Sequence, residues 1–274
     1  MNMSLWIVIL LAVVQGLTEF FPVSSSGHLV IFESLFGMRG RGNTLGVFFE
    51  VAVHLGTLGA VIIFYRKKVW LLCKAFFASV FSGGGARARY RKELGYIGFI
   101  AIGSVPAGVF GVAFKDRVEA AFNAPDLTAV FLVATGLYLL LSGRRPVRWN
   151  LTWYSALIIG CAQAVAVLPG CSRSGWTITT GLLLGVGFAE AAEFSFMLSI
   201  PAILGATALE LIKAPVLTSG AAVPLTAGVV VSFLAGLLAL RLLIGILNRG
   251  AFHRFAYYLL PVGVAAVIYF RFLV

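Results

Sequence analysis

Gln15-Gly16-Leu17-Thr18-Glu19-Phe20-Phe21-Pro22-Val23-Ser24-Ser25-Ser26-Gly27-His28 interrupts the first apolar run of the chain. A second segment, Gln163-Ala164-Val165-Ala166-Val167-Leu168-Pro169-Gly170-Cys171-Ser172-Arg173-Ser174-Gly175-Trp176-Thr177, interrupts a later one. Each brings hydroxyls, a Pro and a Gly to membrane depth, where an unpaired backbone group costs several kcal/mol. Such segments persist only when buried in protein or lining a wet cavity. A matched pair of interrupted apolar segments in the two halves of a membrane protein is the best sequence pointer to a central site.

That the surroundings are a membrane follows from composition. Of 274 residues, 60% are hydrophobic and only 11% charged, and the mean hydropathy is +1.00. Soluble domains carry about 25% charged residues. The stretches 94–114, 127–141 and 214–240 hold no charge, near or above the roughly 17–25 residues a helix needs to span. A β-barrel would show short alternating segments instead. The expectation is an all-α polytopic membrane protein.

Apolar runs and their breakers mark ten helical pieces, at about 3–20, 25–36, 45–65, 93–114, 126–142, 152–168, 174–186, 188–212, 222–247 and 254–272. The pieces at 25–36 and 174–186 are too short to span, and a breaker precedes each. About six transmembrane helices plus two re-entrant hairpins result. The Gly/Arg stretch 82–92 reads as a flexible loop. No soluble domain is present: 1–274 is one integral membrane domain, with a first repeat at about 1–143 and a second at about 149–274.

The net charge of +11 would suit nucleic acid, but its distribution excludes that reading. Fourteen of the 21 Lys and Arg fall in 66–92, in 144–148, and at Arg241, Arg249 and Arg254. These are loops that alternate helices place on one side, which the positive-inside rule makes cytoplasmic. Arg39, Arg41, Lys115, Arg117, Lys213 and Arg271 fall on the other side. With that orientation the first hairpin opens outward and the second inward, so their tips converge as in an inverted repeat. Both termini are then outside. Ser24 and Ser172 stand nine residues after Gln15 and Gln163, and Ser26-Gly27 matches Ser174-Gly175. The first apolar run lacks a basic leader and a cleavage site, so it is not read as a signal peptide. Cys73, Cys161 and Cys171 have no zinc or disulfide spacing and read as packing residues.

Within the hairpins, Gln15 and Glu19 share a helical face at i and i+4. A carboxyl at this depth is by default a functional candidate, able to pair with a cation or hold a divalent metal. Ser24, Ser25 and Ser26 precede a helix whose start needs one N-cap, leaving hydroxyls to spare, and the helix start itself suits phosphate. His28 lies on the same face as Ser25. Arg173 is the one basic residue far from any interface. Burying it costs at least about 2.5–3.5 kcal/mol, and its planar fork matches phosphate. A partner for it is either an anionic ligand or Glu19. Ser172, Ser174 and Thr177 flank it. Glu50, His54, Glu193 and Ser195 are second-tier residues, each as well explained by interhelical hydrogen bonding, and His253 reads as structural.

Taken together, Gln15-x-x-x-Glu19, Pro22-Val23-Ser24-Ser25-Ser26-Gly27-His28, the stretch from Pro169 to Thr177, and Glu193-Phe194-Ser195-Phe196 resemble the bacitracin-resistance family of undecaprenyl-diphosphate phosphatases. The resemblance covers essentially the whole chain. It implies removal of the terminal phosphate of undecaprenyl diphosphate, regenerating the lipid carrier of cell-wall synthesis, with a divalent cation, magnesium or calcium. The active site is then expected to open to the outer face of the cell membrane. Carried over by position, Glu19, Ser25, His28 and Arg173 are the catalytic candidates. Gln15, Ser24, Ser26, Ser172, Ser174 and Thr177 are the substrate-binding ones, and Glu19 and Gln15 the metal candidates. Gln15 departs from the Glu many members carry, which removes one carboxylate from the metal set. The partners expected are the polyprenyl diphosphate, the bilayer and a second copy of the chain as a homodimer, with no nucleic acid. A transporter or flippase for a phosphorylated polyprenyl lipid is the rival reading, since it would share the repeat but needs no nucleophile. The other lipid phosphatase superfamily would want His and Asp where Thr179 and Leu183 stand, and a serine intramembrane protease has no use for the buried cation.

Overall fold

A computed structural model describes residues 5–35, 44–81, 84–143, 150–213 and 222–273. Arg39, Arg41 and the cationic run at 144–148 lie outside the described residues, as do Ser82 and the first part of the uncharged stretch from 214. The elements are, in order, α1 (Leu5–Thr18), α2 (Ser25–Leu35), α3 (Thr44–Phe64), α4 (Arg66–Phe81), α5 (Gly84–Arg89), α6 (Arg91–Ala113) and α7 (Lys115–Phe122). They continue with α8 (Pro125–Leu140), α9 (Trp153–Val165), α10 (Arg173–Leu183), α11 (Phe188–Lys213), α12 (Ala222–Asn248) and α13 (Ala256–Ile268). No strand occurs among the described residues.

Five stretches are long and apolar enough to cross a bilayer: Arg91–Ala113, Pro125–Gly143, Phe188–Ile212, Ala222–Asn248 and Phe252–Leu273. A sixth is counted only when α3 and α4, which meet at a bend of 86°, are taken together as one broken span. Five of the six spans the apolar runs predict are thus present within a few residues of their expected bounds, and the run at 45–65 corresponds to α3. Pro106, Pro201 and Pro261 sit inside spanning helices, where neighbouring helices can satisfy the freed carbonyls.

The remaining apolar helices are short. At about 1.5 Å per residue, α1 and α9, of 14 and 13 residues, reach roughly 20 Å, against about 30 Å of hydrocarbon. Each is followed by a turn and an 11-residue partner, α2 or α10. α1 packs on α12, and α9 packs on α6, so each hairpin is held by a span from the other half of the chain. Glycine makes both contacts close. A Cβ on Gly16 would come 2.6 Å from that of Ala235, and one on Gly160 would come 2.8 Å from the Cα of Gly103.

Between them the hairpins enclose the centre of the core. Phe20, Leu132, Ile159, Ile178 and Phe196 are buried there, with the Phe20 and Phe196 rings edge-on at 5.7 Å. The tips touch one another: a Cβ on Gly27 would stand 3.1 Å from the Cα of Gly170, itself at φ +90°.

Three helices have no counterpart in the sequence reading. α5 lies within 82–92, the stretch expected to be a flexible loop, and α4 and α7 were not anticipated. All three mix cations with apolar residues, so neither hydropathy nor a turn signal marks them. α7 begins Lys115-Asp116-Arg117, which reads as solvated chain until α6 and α8 bracket it.

Candidate functional site

Glu19 stands one residue beyond the end of α1, 9% exposed, at the first hairpin tip. Its two oxygens are separately engaged. Oε1 accepts from Arg173 Nη2 at 2.6 Å, and Oε2 accepts from Gln15 Nε2 at 3.0 Å and from the Ser25 hydroxyl at 2.7 Å. The i, i+4 spacing of Gln15 and Glu19 thus makes a direct bond. His54 Nε2 lies 3.9 Å from Oε2, which brings one of the second-tier residues beside the carboxylate.

Arg173 opens α10, and the guanidinium reaches across to the other hairpin. A second prong, Nη1, approaches the Ser195 carbonyl at a long 3.5 Å. The backbone carbonyl of Arg173 accepts from Thr177 Oγ1 at 2.7 Å, and that hydroxyl shares a 2.6 Å bond with the Ser195 hydroxyl. Thr177 and Ser195 therefore brace the arginine's helix turn. A buried charge that has lost water needs such a surround.

The paired serines repeat one motif in both hairpins. Ser24 Oγ accepts from the Gly27 amide at 3.2 Å, and Ser172 Oγ from the Gly175 amide at 3.1 Å. Ser24 and Ser26 hydroxyls lie 3.3 Å apart, as do those of Ser172 and Ser174. Ser174 also donates to the Phe21 carbonyl at 3.3 Å, tying one tip to the other. Ser24 and Ser172 are thus helix caps. Of the serines, Ser25 alone contacts the carboxylate, and it is half-buried rather than enclosed.

His28 departs from its expected place beside the Ser25–Glu19 pair. Nδ1 lies 2.8 Å from the Ser24 carbonyl and Nε2 lies 2.9 Å from the Tyr258 hydroxyl. A carbonyl can only accept, so Nδ1 carries a proton, and in the neutral ring Nε2 accepts from the tyrosine hydroxyl. The Tyr258 ring stacks on the imidazole at 5.9 Å and 9°. Two residues absent from the sequence reading matter here, Tyr258 of α13 and Thr135 of α8. Thr135 Oγ1 donates to the Gly170 carbonyl at 3.0 Å and accepts from Trp176 Nε1 at 3.2 Å, fixing the second tip. Both act over sequence distances that no local pattern encodes. Glu193 turns away from the pair and bonds Lys68 at 2.8 Å.

Among the described residues, no three His, Cys, Asp or Glu side chains gather as a metal cage. The Oε1 atom of Gln15 is nonetheless buried with no hydrogen-bond partner, an acceptor next to the Glu19 carboxylate. One carboxylate and one amide oxygen suit an ion of the magnesium type that takes its other ligands from substrate phosphates and water. They do not suit an ion held by protein alone.

Carboxylate, guanidinium and hydroxyl meet here inside a helical bundle, with no extramembrane domain among the described residues to carry them. The chain is therefore a multi-pass membrane protein whose polar site is built from short helices between its spans. A profile of the bacitracin resistance protein BacA family matches residues 8–265, and the chain belongs to that family. "Undecaprenyl-diphosphatase 2" of Stutzerimonas stutzeri is 39% identical over 278 residues, covering 98% of this chain and 99% of the relative. An "Undecaprenyl-diphosphatase" of Alkaliphilus metalliredigens is 37% identical, covering 95% of this chain and 97% of the relative. Another, of Korarchaeum cryptofilum, is 39% identical and covers 94% and 96%.

Proposed function

We propose that this chain is an undecaprenyl-diphosphate phosphatase, releasing phosphate from the lipid diphosphate and returning undecaprenyl phosphate to cell-wall synthesis. The observation that carries the reading is the Glu19 carboxylate shared by Arg173 and Ser25, at 2.6 and 2.7 Å. A hydroxyl and a base within about 2.6–3.2 Å are the signature of an activated nucleophile. The guanidinium beside them is placed for the charge that develops on a transferring phosphoryl group. Family membership and relatives named for this activity support the same conclusion.

In this reading the diphosphate displaces Glu19 from one prong of Arg173, and the freed carboxylate takes the proton of the Ser25 hydroxyl as it attacks the terminal phosphorus. The bridging P–O bond breaks with undecaprenyl phosphate as leaving group. Water, deprotonated by the same carboxylate, then hydrolyses the phosphoserine and releases phosphate. Ser25 is better placed than His28 for that attack, because both ring nitrogens of His28 are already committed. A divalent cation held by Glu19 and Gln15 would, when bound, neutralise diphosphate charge. The cytoplasmic leaflet lies on the side of the Lys/Arg-rich turns, by the positive-inside rule, and the two halves are related as an inverted repeat.

Purified protein in detergent should release phosphate from a long-chain polyprenyl diphosphate in millimolar magnesium or calcium and lose that activity in chelator. Replacing Ser25 by Ala should lower kcat at least about a hundredfold. Absence of release with either ion overturns the phosphatase reading, and a Ser25→Ala enzyme at full rate assigns the attack to water.

A further inference from the structure

α4 leaves the end of α3 at 86°, so it runs across the direction of the spans. One face is buried through Leu72 and Ala75. Lys68 anchors the same side, pairing with Glu193 at 2.8 Å and lying 4.1 Å over the Tyr96 ring. The opposite face is apolar and uncovered: Trp70 is 72% exposed, Phe77 56%, Val80 56% and Phe81 79%. Their spacing puts these four side chains on one stripe. Lys67 and Lys74, both exposed, run seven residues apart along its border. A wide aromatic stripe edged by lysine is the pattern of a helix lying in the membrane–water interface.

The start of α4 adds a charge imbalance. Arg66, Lys67 and Lys68 occupy the first turn, which holds no acidic residue. Cations there oppose the positive end of the helix dipole. At the corner with α3 a cavity of about 330 Å³ is lined by Phe64, Tyr65, Arg66, Lys67, Lys68 and Glu193. The one carboxylate in it is taken by Lys68. Arg66 reaches only the Ile63 carbonyl, at 3.4 Å. Among the described residues lining it, the corner thus presents the Arg66 and Lys67 charges with no free anion to match them.

We propose that α4 is an interfacial helix and that its Arg66–Lys67 corner, extended by Lys74, binds the headgroup phosphate of anionic phospholipids. The aromatic stripe then lies among the upper acyl-chain carbons, and the cations stand at the height of the phosphodiester, where each contributes to attraction for an anionic leaflet. Nothing in this depends on the reaction proposed above.

Fluorescence quenching by lipids brominated on their acyl chains tests it, in vesicles of phosphatidylcholine containing either brominated phosphatidylglycerol or brominated phosphatidylcholine. The difference between the unaltered chain and Trp70→Phe isolates the Trp70 indole. That component should be quenched at a mole fraction of the anionic lipid at least about threefold lower than of the neutral one, since each cation near the surface adds attraction. Arg66→Gln, Lys67→Gln and Lys74→Gln together should bring the two lipids together while leaving quenching itself intact. No quenching of Trp70 by either lipid removes α4 from the interface. Equal quenching in the unaltered chain, or selectivity that survives the triple substitution, removes the headgroup site.

Discussion

Arg173 gives Glu19 only one of its prongs at short range, and the other rests at 3.5 Å on a carbonyl. A forked cation used this way can exchange a carboxylate for a phosphate without leaving its place. Arg173→Lys keeps the charge but loses the fork, and kcat/KM should fall at least about tenfold, roughly 1.4 kcal/mol. Arg173→Ala should be folded and inactive. If the arginine instead only neutralises Glu19, Arg173→Ala should fold poorly and Glu19→Gln should rescue it, because the stranded charge would be gone. Tyr258 bonds and stacks on His28, and it positions that ring if His28 takes part in the reaction. Tyr258→Phe removes the donor to Nε2, a bond worth about 0.5–1.5 kcal/mol. kcat should drop about two- to tenfold with KM unchanged, and an unaltered kcat would leave Tyr258 a packing role only. Arg173 is legible in the sequence as the one basic residue far from an interface, with an anionic ligand or Glu19 as its partner, and the structure supplies Glu19. The tyrosine is not legible there, because 230 residues separate it from His28 and its position in α13 looks like an interfacial aromatic.

The hairpins show how local chemistry fixes an element. Ser24 caps α2 from φ +68°, a region costly for any side chain, about 1–3 kcal/mol. Its counterpart Ser172 caps α10 from φ −71°, without that strain. The left-handed turn directs the Ser24 carbonyl to His28 Nδ1, so strain is traded for orientation at the site. Ser24→Gly keeps the turn and relieves the strain, while losing a cap costs only a few tenths of a kcal/mol when glycine replaces it. Ser24→Ala keeps the strain and loses about 1 kcal/mol of cap. Thermal unfolding in detergent should therefore rank Ser24→Gly above Ser24→Ala, and the reverse order would mean that the turn is not strained. The existence and length of both hairpins could be read from Pro, Gly and Ser set within apolar runs. α4 is not marked in the same way, because Arg66, Lys67, Lys68 and Lys74 break its apolar residues into short runs in the linear sequence. Its amphipathicity shows only once the neighbouring span gives it a buried side.

Across the whole molecule, the five spans and the apolar run of α3 follow from apolar length alone, and the distribution of Lys and Arg predicts a side for each turn. α5 belongs to the basic side. A single cysteine at Ala88, with the three native cysteines replaced, should be protected from an impermeant thiol reagent in intact cells and react after permeabilisation. Labelling in intact cells would reverse the orientation. What composition could not supply is the way the halves interlock, since α1 lies on α12 and α9 on α6, with close approaches at Gly16 and Gly160. That interlocking has a consequence for biosynthesis. Glu19 enters the membrane 154 residues before Arg173, and at about 5–20 residues per second it waits roughly 8–30 s for its counter-ion. The bed for α1 comes later still, with α12. During that interval the first hairpin has α3 and α8 to pack on but lacks the Arg173 guanidinium, so a chain halted before α10 keeps the Glu19 carboxylate at membrane depth without the ion pair of the finished protein.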